Sequence, residues 1–254
     1  MNATQVAVSV KGGSSASRTF QTLPGDHRFF SLMAIITAVT IIAGFSQTYL
    51  PKVEAGAAPF PLIVHIHAVV FTSWLVLFVV QTALILRGRT ATHRRLGIAG
   101  VVLAALMLVI GVATAIAVAR LGHRGIPGVE FPDAEGFLLL NLAAIVVFTM
   151  LVGAGWYFRR HAQMHKRLML MATTGALVGP GVSRLPFASG KPPVIAALAM
   201  VFLLSGPVYD LVTRGRIHKA YLWSGLLAIG AIPPVVAQVA ATGIWHRVAS
   251  WLLR

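Results

Sequence analysis

The chain has 254 residues, of which 57% are hydrophobic and 11% charged, with a formal net charge of +15. A water-soluble domain carries charge on about a quarter of its residues, so this composition excludes an ordinary soluble fold and points to a surface that faces lipid. The lack of cysteine excludes disulfides, thiolate metal sites, iron–sulfur clusters and covalent c-type haem.

Residues 1–28 are mostly polar and have no apolar h-region, so they read as a cytoplasmic tail rather than a cleaved signal, with Gly12-Gly13-Ser14-Ser15 as a flexible stretch. A helix needs about 20 mainly apolar residues to cross the hydrocarbon core. Seven runs meet that length over residues 29–245. They are Phe29–Leu50, Pro59–Leu86, Leu96–Ala119, Gly136–Phe158, Leu168–Phe187, Pro193–Val212 and Ala220–Trp245. The fifth is interrupted by Gly175, Gly179-Pro180-Gly181 and Arg184. It reads as a broken span, because neighbouring helices can satisfy the freed backbone groups; six spans with a re-entrant segment is the alternative. Residues 246–254 close the chain as a short interfacial segment beside Trp245 and Trp251. The expected fold is an all-α polytopic membrane bundle.

The basic residues set its direction. With the N-terminus inside, Lys11, Arg18, Arg28, Arg87, Arg89, Arg94, Arg95, Arg159, Arg160, Lys166, Arg167, Arg214, Arg216 and Lys219 fall on the inner side, 14 in all. Lys52, Arg120, Arg124, Arg184, Lys191, Arg247 and Arg254, 7 residues, fall outside. Such a bias predicts a cytoplasmic N-terminus in a bacterial inner membrane. It also accounts for the net charge through contacts with lipid phosphates rather than nucleic acid, for which no binding motif is present.

A short motif recurs at the inner face. His93-Arg94-Arg95, His165-Lys166-Arg167 and His218-Lys219 each open an outward-going helix, and Arg87, Arg159 and Arg214 each close the helix before. Polar residues in the spans sort by depth into two layers. The outer layer holds His65, His67, Asn141, Arg184 and Gln238; the inner holds Gln81, His93, His165, Tyr209, Asp210 and His218. Polar groups in hydrocarbon are costly and tend to mark sites or pathways.

Each has a plainer reading beside the functional one. The three His-basic pairs also serve as interface anchors. Arg184 reaches the outer headgroups by snorkelling. Asp210 has an ion-pair partner one turn on in Arg214. His65 and His67 are candidate metal ligands, but two residues of helix turn the chain by about 200°, so a regular helix cannot aim both at one ion.

His65-Ile66-His67-Ala68, Trp74, Gln81, Arg87 and His93-Arg94-Arg95-Leu96-Gly97 resemble a set of small bacterial integral-membrane proteins of uncharacterised function. His165-Lys166-x-x-Met169 is similar to a helix start in a small family implicated in cytochrome oxidase maturation, where that helix comes first. The likeness spans roughly residues 60–185. It implies a histidine-bearing protein of the respiratory membrane, with oxidase subunits as partners besides the bilayer, and haem or a metal ion as cofactor. Haem iron accepts histidines from two helices. The expected role is therefore electron transfer or terminal-oxidase assembly. A small-solute or ion transporter, suggested by the Gly179-Pro180-Gly181 break, and a structural scaffold are the alternatives. No hydrolase or nucleotide motif selects an enzymatic reaction.

Overall fold

In a computed structural model the chain is described over residues 20–54, 60–126 and 128–254. The expected flexible stretch at Gly12-Gly13-Ser14-Ser15 lies outside these. Eleven helices are present among the described residues: α1 Asp26–Ser46, α2 Tyr49–Glu54, α3 Leu62–Leu86, α4 Thr90–Arg120, α5 Ala134–Tyr157, α6 Ala162–Ala176, α7 Val178–Val182, α8 Pro192–Arg214, α9 Lys219–Ile229, α10 Pro233–Ala240 and α11 Gly243–Leu252. The one sheet among the described residues is a hairpin of two two-residue strands between α4 and α5, β1 Gly125–Ile126 with β2 Val129–Glu130.

Five of the helices are long and apolar enough to cross a membrane, or six when α9 and α10, bent by 43°, count as one. No more than 39% of the apolar window of any of the five is buried inside the bundle. Val69, Val212 and Leu222 stand well out of it. Apolar surface on this scale cannot face water, and this is the architecture of a multi-pass membrane protein.

Several ends move relative to the sequence reading. Helix α1 begins at Asp26, so the expected tail boundary at residue 28 falls inside a helix. The first run divides at Ser46, and its end becomes the separate α2. Helix α4 starts six residues before Leu96, because Arg94 and Arg95 continue the helix into the polar interface. His93 and His165 are each the fourth residue of their helices, whereas His218 is the N-cap of α9. The last run is divided at Gly230 and Pro233, and α11 runs from Gly243 to Leu252, across the boundary at residue 246.

The fifth run departs most. In place of one span there is the 15-residue α6, then the five-residue α7. At its inner end Lys166 meets Asp26, the first residue of α1. At its other end Gly181 meets Gly44 and Ile41, near the last turn of α1. The two helices thus run the length of α1, about 27 Å for eighteen residues of helix. Glycine permits the crossing: a Cβ on Gly181 would lie 2.7 Å from Ile41 Cα, and one on Gly44 would overlap the Gly181 carbonyl. Small residues at membrane helix crossings let backbones approach in this way. Helix α6 lies at the centre of the bundle, with Leu168, Leu170, Met171, Ala172, Thr173 and Thr174 buried. Trp74 Nε1 on α3 donates to Thr173 Oγ1 at 3.2 Å, a buried bond that ties α3 to α6.

Candidate functional site

The outer polar residues do not converge. His65 Nδ1 pairs with Tyr49 Oη at 2.5 Å, bringing α2 to the start of α3. His67 stacks on Phe71, one turn on, with ring centroids 3.9 Å apart, and its buried Nδ1 has no hydrogen-bond partner. Asn141 Nδ2 donates to Phe137 O at 2.8 Å within its own helix. Arg184 donates to Pro180 O at 2.7 Å and lies over the Phe45 ring of α1. Gln238 is exposed on α10. The outer layer read from depth thus holds separate local contacts. Depth along a helix says nothing of the direction a side chain takes around it. Among the described residues no three His, Asp or Glu side chains group as metal ligands.

The inner residues form two clusters on opposite sides of α6. His165 and Arg167 are two positions apart, about 200° around a helix, so α6 serves both.

On one side lie Arg167, Asp210, Arg214, Asp26 and Lys166. Arg167 is fully buried and grips Asp210 with two bonds, Nε to Oδ2 at 2.8 Å and Nη2 to Oδ1 at 2.5 Å. Its remaining Nη1 donates to the Gln163 carbonyl and to Gln163 Oε1. Arg214 bridges the two acids, at 3.2 Å from Asp210 and 2.5 Å from Asp26. Asp26, also fully buried, takes Lys166 Nζ at 2.5 Å and Tyr209 Oη at 3.1 Å. The expected Asp210–Arg214 pair is therefore present, but the principal partner of Asp210 is Arg167.

His218 completes this cluster as a backbone element. Its N–H donates to Asp210 Oδ2 at 3.2 Å, and its Nδ1 accepts from Ala220 N–H at 3.1 Å, capping α9. Burial, and after it the field of Arg167, pushes the imidazole down to about 4, so it is neutral at neutral pH and able to accept that bond. Phe20 lies against the cluster, edge-on to His218 and under the guanidiniums of Arg167 and Arg216.

On the other side, Gln81, His93 and His165 meet. The His93 and His165 rings are 6.1 Å apart between centroids and nearly perpendicular, at 81°. His165 Nδ1 lies 2.8 Å from the Gly155 carbonyl at the end of α5. The Gln81 amide reaches from α3 into the first turns of α4. Oriented to satisfy both partners, its oxygen accepts from Gly97 N–H at 3.1 Å and its nitrogen donates to the His93 carbonyl at 3.2 Å and to His93 Nδ1 at 2.9 Å.

Two of the three expected inner histidines therefore converge, and the third belongs to the ion cluster. Asp26, Lys166, Arg167 and Gln163 were not among the expected site residues. Asp26 stands three residues before the first apolar run, and Lys166 and Arg167 count equally well as topology signals. The available sign was Asp210 itself, since a carboxylate at the end of an apolar run needs a cation at the same depth.

No protein-family model, curated protein or solved structure matches the chain.

Proposed function

We propose that the chain is a seven-span protein of the bacterial inner membrane, N-terminus in the cytoplasm, that serves electron transfer in the respiratory membrane, with His93 and His165 as its working site. One observation carries the site: two imidazoles from separate helix starts stand 6.1 Å apart, each engaged through Nδ1 and each with Nε2 left over. Imidazole is the side chain that exchanges protons near neutral pH, and polar groups beside hydrocarbon tend to be functional. Succinate-driven oxygen uptake tests the role. Membranes from cells lacking the chain are supplied with wild type or His165→Ala at equal levels. Uptake falls in the variant; equal rates refute the proposal.

The seven-span count treats α6–α7 as a broken span and α9–α10 as a bent one. It is supported by the course of α6–α7 from Asp26 to Gly44, and the direction is supported by the basic bias. Because the chain has no cysteine, single cysteines report topology cleanly. An impermeant maleimide applied from outside labels Ser189→Cys and spares Arg160→Cys. Labelling of both, or of neither, refutes a crossing by α6–α7.

A second reading, haem or a metal ion held through histidine, is favoured by His165. Its Nδ1–H to a backbone carbonyl is the arrangement that orients metal-bound imidazoles. Purified protein then carries a Soret band or stoichiometric metal that His165→Ala removes. Colourless, metal-free protein disposes of it. Oxidase subunits are the partners under either reading.

A further inference from the structure

The hydrogen bonds around His93 and His165 fix which ring nitrogen of each carries the proton. Gly97 N–H can only donate, so it takes the oxygen of the Gln81 amide; the His93 carbonyl can only accept, so it takes the nitrogen. That nitrogen also faces His93 Nδ1 at 2.9 Å. Nδ1 must therefore be the lone pair, and the neutral ring carries its hydrogen on Nε2. His165 is the reverse. Its Nδ1 faces the Gly155 carbonyl, which only accepts, so Nδ1 is protonated and Nε2 holds the lone pair. Neither Nε2 has a hydrogen-bond partner among the described residues, and His93 and His165 are both only partly buried.

The pair thus presents one donor and one acceptor. A shared metal ion needs two lone pairs, and His93 could supply its own only by moving the proton to Nδ1, against the Gln81 amide. A carbonyl oxygen satisfies the donor alone. A hydroxyl satisfies both, accepting from His93 and donating to His165; two bonds of about 2.8 Å to one oxygen require the nitrogens within about 5.6 Å of each other, which ring centroids 6.1 Å apart allow. The neighbourhood favours a hydroxyl on an apolar body. Leu77 and Leu96, one turn from Gln81 and His93, help line a groove of about 310 Å³ with Thr72, Ser73, Val76 and Val80. Phenols are far more acidic than alkanols, with a pKa of about 10 in tyrosine, and so donate more strongly to an imidazole lone pair.

We propose that His93 and His165 bind the phenolic hydroxyl of a membrane-soluble hydroquinone, with Gln81 as the positioning residue that holds His93 in its donor form. This rests on the reading of the pair as the working site and names its ligand.

The experiment measures anaerobic binding of decylhydroquinone to the full-length protein in nanodiscs. The other arms use its dimethyl ether, the oxidised decylquinone and dioleoylglycerol. Wild type binds the hydroquinone at least tenfold more tightly than each of the other three. His165→Ala loses at least tenfold, and so does His93→Phe, with elution as a single monodisperse peak establishing that both variants fold. Gln81→Leu, which frees the His93 tautomer, narrows the preference for hydroquinone over quinone. Equal binding of the dimethyl ether, or binding unchanged in both histidine variants, overturns the proposal. Equal binding of dioleoylglycerol assigns the site to a lipid alcohol and also overturns it. Oxygen uptake that still depends on His165 would then leave the working site standing and remove only the hydroquinone. Uptake independent of His165 removes both.

Discussion

Replacing Asp210 with Ala leaves the most demanding group in the bundle without its counter-charge. The carboxylate accepts four bonds, two from Arg167, one from Arg214 and one from the His218 backbone. Arg167 is fully buried and cannot turn to water. Removing one partner of a buried, hydrogen-bonded ion pair costs about 3–5 kcal/mol, much of it the penalty of the orphaned charge. For a chain of this size that corresponds to a fall in unfolding temperature of roughly 10 °C. Arg167→Met with Asp210→Ala removes both charges, and replacing a whole buried pair is often close to neutral. The double variant should therefore recover a large part of the loss. Thermal unfolding in detergent, followed by size-exclusion chromatography of the four forms, completes the cycle. A single Asp210→Ala variant within about 1 kcal/mol of wild type, the cost of an exposed pair, would refute the reasoning. So would a double variant as unstable as the sum of the singles.

Three further outcomes follow from other contacts. Gly181→Val pushes a side chain into the backbone of Ile41 and should cost about 1–3 kcal/mol by overpacking; Gly153→Ala, which meets nothing within 4 Å, should melt with wild type. Trp74→Phe and Thr173→Val each break the α3–α6 bond. Each should lose about 0.5–1.5 kcal/mol, and the pair together should lose less than the sum, since both remove one interaction; full additivity on unfolding would refute the link. His218 is held neutral when folded, down to about 4 against an ordinary value of 6.5. Below 6.5 the unfolded chain binds a proton that the folded chain refuses, so stability falls as pH drops from 6.5 towards 4. His218→Asn keeps a capping acceptor and should flatten that part of the profile of unfolding temperature against pH; an unchanged slope would remove His218 as its source.

Apolar run length carried much of the architecture, because lipid imposes length and composition on any crossing helix. It located α3, α5 and α8 to within a few residues. The ends of α1 and α4 were less legible, because Asp26 and the Arg94-Arg95 pair continue the helix through the interface, where hydropathy has already changed sign. The fifth run reads as broken from Gly175, Gly179-Pro180-Gly181 and Arg184, and the helix does break, at Leu177 between the first two of these. Its central position in the bundle was not visible, since burial by protein and burial by lipid select the same residues. Among polar positions, helix depth put His93 with His165, whose rings stand 6.1 Å apart, and His67 with Arg184, whose contacts lie on Phe71 and Phe45. Which side chains meet depends on rotation around each helix and on neighbours distant in sequence. Gln81 with His93 and Arg167 with Asp210 are pairings of that kind.

Helix α6 joins the two inner clusters mechanically. Lys166 and Arg167 fix its first turns to α1 and α8 through three charge-assisted bonds, which are among the stronger contacts a protein makes. His165, between Met164 and these two residues, is set by the same turns against Gly155 of α5. Rotating α6 by one residue would move His165 by about 100°, withdrawing it from Gly155 and from His93. Such a rotation would also tear Arg167 from Asp210, so the ion cluster holds the histidine in register without touching it. The absence of a proline or glycine between Ala162 and Met171 keeps that stretch stiff. The break that relieves the crossing at α1 is deferred to Gly175 and beyond, well away from the histidine pair.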